Sequence, residues 1–339
     1  MTLHKIVVAG CGSMSNTWLD YAEQRDNAEI AGLVDVSIDA AKAMSERRNL
    51  QVPLFTDLSQ ALSETNANLV FDVTIPAVHK QIVTTALKAG CNVFGEKPMA
   101  ESLEDAREVL KVAQETGKKY SVMQNRRYNK QIRAFRDLLA SEAIGTIGSI
   151  HADFFLGPHF GGFREEMDSP LIVDMAIHTF DQARFISGAD AVSVYCHEFN
   201  PSGSWYKGNA SAIIIYEMND GSVFSYRGSW SAEGLNTSWE SDWRVTGSKG
   251  TARWDGSNIP VYEFVDNKQP IQFVSKTKSE TASIIWEGRE GHWGCLDEMF
   301  ASIEETRLAE TDCTDNIKSM EMVFGALESA KTGKKIKIL

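Results

Sequence analysis

Lys5-Ile6-Val7-Val8-Ala9-Gly10-Cys11-Gly12-Ser13-Met14-Ser15 decides the fold. The first five residues are a short β-rich run, Gly10 to Gly12 a glycine turn, and the rest the start of a helix. Gly10 permits a tight turn, and Gly12 lets the backbone come close to a ligand. The helix opening at Ser13 and Met14 offers free N–H groups and a partial positive charge, which suit a pyrophosphate. The third small residue of the GxGxxG pattern is Ser15. Alone, GxGxxS is an incomplete fingerprint that also fits a purely structural turn. Its weight comes from context: a strand before it and a βαβ unit after it.

That context extends to about residue 125. Apolar runs at Ile6–Ala9, Ile30–Val34, Leu69–Ile75, Val93–Phe94 and Tyr120–Met123 predict strands. Segments with helical periodicity separate them, at Asn16–Gln24, Ile38–Arg47, Ala77–Ala89 and Leu103–Glu115. Strand–helix–strand alternation predicts a parallel sheet with helices on both faces. Gly90 and Gly117 sit where a left-handed residue ends a helix. Asp35 closes the second strand, 25 residues beyond Gly10. A carboxylate there accepts hydrogen bonds from ribose hydroxyls. Val36 and Ser37 follow it, with no arginine to meet a 2′-phosphate, so NAD is expected over NADP.

The pattern then changes. A helix over Lys130–Ala140 leads into longer strands with hairpin signals. Ala212–Met218 and Ser222–Trp230 flank Asn219-Asp220-Gly221, and Trp243–Thr246 and Thr251–Trp254 flank Gly247-Ser248-Lys249-Gly250. Helical patterns return at Gly294–Thr306 and Ile317–Lys331. The expected class is α/β, with a dinucleotide-binding Rossmann domain over residues 1–125. Residues 126–339 form an α+β domain with a large open, mostly antiparallel sheet.

Composition excludes several classes. Of 339 residues, 43% are apolar and 24% charged, as in ordinary globular chains. The net charge of −12 opposes binding to nucleic acid or anionic lipid. The five cysteines, Cys11, Cys91, Cys196, Cys295 and Cys313, are scattered and form no CxxC pair. They suggest neither a disulfide framework nor a metal site. No apolar stretch reaches the roughly 18 residues needed to span a membrane, and no signal peptide is evident. A cytoplasmic location is expected.

Two segments carry candidate chemistry. Gly95-Glu96-Lys97-Pro98 follows a predicted strand, at the edge where open parallel sheets bind ligands. A lysine there can polarise a substrate oxygen, although Glu-Lys-Pro taken alone is more often a surface turn. The second segment is Ser169–Ser187. Ser169 is a plausible N-cap and Pro170 a plausible first helical residue. Asp174, His178 and Asp181 recur at i, i+4 and i+7 on an otherwise apolar helix. A carboxylate one turn from an imidazole favours its protonated form, which suits a general base acting on an alcohol. The competing reading is a hydrogen-bonded core histidine. His159 and Arg164, in the loop Gly157–Arg164, are further substrate-binding candidates. Seven of the eight tryptophans lie after residue 200. Most read as core or interface aromatics, though such rings also stack on sugars.

Taken together, these segments resemble the Gfo/Idh/MocA oxidoreductases, the family of glucose–fructose oxidoreductase and inositol dehydrogenase. The likeness runs through the glycine turn, Asp35, Thr74-Ile75-Pro76-Ala77-Val78-His79, Ala89–Ala100, Gln124-Asn125-Arg126-Arg127-Tyr128 and the DxxxH of Asp174–His178. It implies that Lys97, Asp174 and His178 are catalytic. It implies that Thr74, Ile75, Pro76, His79 and Glu96 join Gly10, Gly12, Ser13, Met14, Asp35 and Lys97 along the cofactor. It also implies that Arg127 lies near the substrate of a sugar or cyclic-polyol dehydrogenase, and that the chain forms a homodimer or homotetramer through its C-terminal sheet. Two alternatives share the resemblance: an NAD-dependent glycoside hydrolase and a non-catalytic dinucleotide-binding regulator. The chain departs from the family at Ser15, at Ala77, where many members have asparagine, and at Ser169-Pro170-Leu171, where a glycine-rich run is usual.

Overall fold

The run Ile6-Val7-Val8-Ala9 is buried along its whole length, as a central parallel strand covered on both faces must be. The computed structural model describes residues 3–268 and 273–338. The chain divides into two compact units, Met1–Asn125 with Arg289–Met320, and Arg126–Gly288 with Glu321–Leu339.

The first unit is built on six parallel strands: β1 (His4–Ala9), β2 (Ala28–Val34), β3 (Leu54–Phe55), β4 (Leu69–Asp72), β5 (Asn92–Gly95) and β6 (Tyr120–Val122). Their order is β3-β2-β1-β4-β5-β6. The order reverses between β1 and β4, which opens a crevice at the strands' carboxyl ends. Helices α1 (Ser15–Ala22), α2 (Ile38–Arg48), α3 (Leu58–Thr65), α4 (Pro76–Lys88) and α5 (Leu103–Thr116) connect the strands. Ser37, Asp57 and Ser102 cap α2, α3 and α5 by accepting a backbone N–H from three residues on. Gly90 and Gly117 have positive φ after α4 and α5, as expected. β3 and α3 are additions to the predicted elements, because a two-residue strand carries no periodicity. The strand predicted over Leu69–Ile75 stops at Asp72.

The second unit begins with α6 (Lys130–Ala140), β7 (Ile147–Phe155) and α7 (Phe163–Glu166). A π-helical stretch, Leu171–Ala176, then runs into α8 (Ile177–Ser187). Strands β8 (Ala191–Phe199), β9 (Ser211–Met218), β10 (Val223–Ser229), β11 (Asp242–Gly247), β12 (Gly250–Trp254), β13 (Val261–Val265) and β14 (Thr277–Thr281) follow. After α9 (Gly291–Glu304) and α10 (Cys313–Thr332), β15 (Ile336–Lys337) completes a nine-stranded sheet. Its order is β14-β13-β12-β11-β7-β10-β9-β8-β15, antiparallel throughout except for the parallel β7–β10 pair. Both predicted hairpins form, with Gly221 at φ 85° in the first. β9 alternates strictly: Ala212, Ile214, Tyr216 and Met218 are buried, while Ile213, Ile215 and Glu217 are exposed. The buried face packs on α8, where Phe180 meets Tyr216, Phe224 and Tyr226 at ring distances of 5.2, 6.4 and 5.4 Å.

Residues 289–320, assigned from the sequence to the second domain, belong instead to the first unit. Phe300 of α9 packs its ring on Phe71 and Phe94 of the parallel sheet. Tyr21 donates to Asp297 at 2.8 Å, and Arg25 pairs with Glu304 at 2.6 Å. A return segment of this kind leaves no signal in local periodicity.

Candidate active site

Gly10 has φ 92°, and a Cβ there would lie 2.5 Å from the Val73 carbonyl oxygen, so only glycine fits. A Cβ on Gly12 would meet nothing within 4 Å. The space in front of Gly12 is therefore open, at the start of a helix that no side chain caps. Ser15 is fully buried and donates from Oγ to the Gly12 carbonyl at 2.6 Å. In place of the third glycine, its hydroxyl ties down the turn. Asp35 accepts the Cys11 N–H and the Ser37 N–H, each at 2.9 Å. The two bonds fix the carboxylate beside the turn and leave lone pairs on both oxygens for ribose hydroxyls. An open cradle, a helix N-terminus and a fixed carboxylate together fit a dinucleotide.

The end of β4 is supported from within. Asp72 and His79 have no exposed surface. Asp72 accepts the Thr74 hydroxyl at 2.5 Å and the Thr74 N–H at 3.2 Å. His79 Nε2 lies 3.2 Å from the Thr74 carbonyl oxygen. Thr74 is thus held on both its polar sides, while Ile75, Pro76 and Ala77 are exposed at the sheet edge. His79, expected along the cofactor, lies behind this segment and shapes it indirectly. Burial raises the Asp72 carboxyl above its ordinary range, against the opposing pull of His79 and Thr74.

At the end of β5, Glu96 accepts the Trp18 indole N–H at 2.8 Å. His292 of α9 lies 4.0 Å from the same carboxylate and 3.4 Å from the Asn125 amide. Lys97 follows, half-buried, with a cis peptide bond to Pro98. Gly12, Asp35, Thr74 and Lys97 therefore share one edge of the first unit, the carboxyl ends of β1, β2, β4 and β5.

In the second unit the predicted polar stripe divides. Asp181 is buried and receives Arg127 Nε and Nη2, each at 2.6 Å. That pairing gives Arg127, expected near substrate, the role of anchoring α8. Removing one partner of such a buried pair typically costs about 3–5 kcal/mol. Asp174 is half-buried on the π-helical stretch, and its Oδ2 accepts Arg164 Nε at 2.7 Å. His178 is buried on the first turn of α8. Beside them, Arg126 pairs with Glu240 at 2.9 Å, and Glu240 also accepts the Gln182 amide at 2.6 Å. Ser169 does not cap the helix. Pro170 takes the cap position, and Ser169 Oγ donates to Glu198 Oε2 at 2.9 Å. Glu198 is pushed up to about 7, first by burial and also by Asp168. His159 stacks on Trp205 at 3.7 Å and pairs with Glu233 at 3.1 Å.

Sequence reasoning missed Trp18, Asp72, Glu198 and Glu240. Only Asp72 left a signal, as a lone acid in the apolar run Leu69-Val70-Phe71-Asp72-Val73. All five cysteines are free and buried, and no cluster among the described residues could hold a metal ion. No helix among them is long and apolar enough to cross a membrane.

Comparison with known proteins agrees with this geometry. Residues 4–124 match the family described as "Oxidoreductase family, NAD-binding Rossmann fold", and residues 132–253 match the "GFO/IDH/MocA C-terminal domain". The chain is 28% identical to an uncharacterised protein of Sinorhizobium fredii, over 99% of this chain and 96% of the relative. It is 25% identical to a D-apiose dehydrogenase of Rhizobium rhizogenes, over 100% and 98%. Among solved structures, an oxidoreductase from Agrobacterium radiobacter in complex with NAD+, L-tartaric acid and magnesium shares the fold. The TM-score is 0.85 at 21% identity, covering 99% of each chain.

Proposed function

The chain belongs to the Gfo/Idh/MocA family of NAD-binding oxidoreductases, and from that premise we propose that it oxidises a secondary alcohol of a sugar or cyclic polyol, reversibly and with NAD rather than NADP. The cofactor supplies the hydride acceptor, at nicotinamide C4. The protein supplies position, charge and a proton acceptor. His178 takes the proton from the hydroxyl oxygen as hydride leaves the carbon that bears it, and the product is the ketone. Lys97 polarises the oxygen and stabilises negative charge as it develops. Asp174 orients the reacting group. Gly12, Ser13 and Met14 would hold the pyrophosphate, and Asp35 would take the ribose hydroxyls. Thr74, Ile75 and Pro76 lie along the cofactor, with His79 and Asp72 behind them.

The observation that most supports this reading is the shared edge of the first unit. There an open glycine cradle, a fixed carboxylate and a strand-end lysine occur together. The D-apiose dehydrogenase relative favours a carbohydrate substrate. Self-association through the outer face of the nine-stranded sheet is part of the same proposal. That face exposes Tyr195, Ile213 and Ile215, and light scattering reads the resulting mass.

The test is a panel of sugars and polyols with NAD and NADP, run on wild type, Lys97→Ala and His178→Ala. The expected result is reduction of NAD by at least one alcohol, with kcat lowered about 10²–10⁴-fold in each variant. Turnover near wild type in both variants would overturn these roles.

A further inference from the structure

We propose that the substrate carries a carboxylate and that Arg164 binds it, so that the second unit selects a sugar acid over the neutral sugar. The inference rests on the reading of Asp174 and His178 as the groups that act on the alcohol.

Arg164 is a half-exposed arginine whose guanidinium is held in place. Its Nε donates to Asp174 Oδ2 at 2.7 Å. Its Cζ lies 5.2 Å from the Phe160 ring centroid and 4.8 Å from that of Phe163. The two rings and the carboxylate all contact the cation. Fixing it this way removes most of the entropy that a flexible arginine would lose on binding a ligand. Only Nε is used. Among the described residues, Nη1 and Nη2 donate to no protein group. A guanidinium bound through Nε alone still presents its Nη1–Nη2 edge, which is a fork that matches a carboxylate.

The acids beside Arg164 do not fill that fork. Glu165 accepts the Gly161 N–H at 2.9 Å, and Glu166 pairs with Lys207 at 3.2 Å. Phe160 and Phe163 are themselves exposed, at 48% and 67%. Phe160 also meets Trp230 and Trp239, at ring distances of 5.5 and 6.3 Å. Arg164 therefore sits within aromatic surface able to cover the C–H face of a sugar ring. Asp174 touches Arg164 directly, so the carboxylate subsite adjoins the group that orients the alcohol. A ligand spanning both would carry an anion a few bonds from its secondary hydroxyl, as uronic and aldonic acids do.

The test compares matched pairs, glucuronate with glucose and galacturonate with galactose, using NAD. Wild type should favour the acid of each pair by about tenfold or more in kcat/KM. Arg164→Met should lower kcat/KM for the acid about ten- to hundred-fold more than for its neutral parent. Arg164→Lys keeps the cation but loses the fork, and should retain an intermediate preference. Preference for the neutral sugar, or equal losses on both in Arg164→Met, would overturn the proposal and leave Arg164 serving only Asp174. Calorimetric titration of glucuronate into the protein with NADH gives a readout independent of turnover. Saturable binding by wild type that is lost in Arg164→Met supports the carboxylate site even if no alcohol is oxidised, in which case it is the dehydrogenase reading that fails. No binding of glucuronate by wild type overturns the site itself.

Discussion

Asp72 and His79 face each other in the interior of the first unit, with Oδ2 3.6 Å from Nδ1 and no exposed surface on either side chain. Together they hold both polar sides of Thr74. His79→Gln would leave the Asp72 carboxyl buried without the imidazole it faces. The loss should be on the order of 3 kcal/mol at neutral pH, and Asp72→Asn in the same chain should recover much of it. The Asp72 carboxyl is raised by burial. An acid raised in this way stabilises the fold most fully below its unfolded-state value and loses that contribution as the pH rises through its folded-state value. The His79→Gln penalty should therefore grow as the pH is raised. Urea unfolding of the two single variants and the double variant at several pH values measures this; additive losses would contradict a coupled pair.

Gly10 and Gly12 separate folding from binding. Gly10→Ala places a Cβ against the Val73 carbonyl at a backbone angle only glycine adopts readily, so the melting temperature should fall. Gly12→Ala meets nothing in the protein and should melt like wild type. Its added methyl occupies the space assigned to the pyrophosphate, so NADH affinity should drop about tenfold or more. Thermal melting with NADH fluorescence titration checks both. Full NADH affinity in Gly12→Ala would remove the pyrophosphate from this turn.

Glu198 gives the second unit its own pH dependence. Its carboxyl moves from 4.5 to about 7, chiefly through burial, with Asp168 adding to the rise and Ser169 and Asn209 opposing it. Its stabilising contribution is present below about 4.5 and is lost as the pH rises through about 7. Relative to Glu198→Gln, wild type should lose stability across that window. Melting curves of the two proteins that stay parallel over the range would contradict it.

What could be read in advance follows from how local the physics is. A central parallel strand must be an apolar run, and the turn after β1 must be glycine, so Ile6–Gly12 was legible once the strand–helix alternation that follows it was read with it. Lys97 could be placed because a strand end is a property of a few neighbouring residues. The Asp174–His178 helix was legible as a helix but not in its detail. The π-helical stretch and the bond from Ser169 to Glu198, 29 residues away, depend on packing that local pattern does not encode. For the same reason Asp181 looked like part of a catalytic stripe until its partner, Arg127, was seen 54 residues earlier. The return of residues 289–320 to the first unit is likewise a tertiary choice, made by Phe300, Asp297 and Glu304.

The central claim is that hydride passes from a secondary alcohol to nicotinamide with Lys97 and His178 assisting. It is tested most directly by isotope. Glucuronate and myo-inositol deuterated at their carbinol carbons are incubated with NAD and the protein, and the reduced cofactor is analysed by mass. Wild type should yield reduced cofactor carrying one deuterium from at least one of the two, with Lys97→Ala and His178→Ala forming it far more slowly. Reduced cofactor without the label, or labelled cofactor formed as fast by both variants, would contradict the claim.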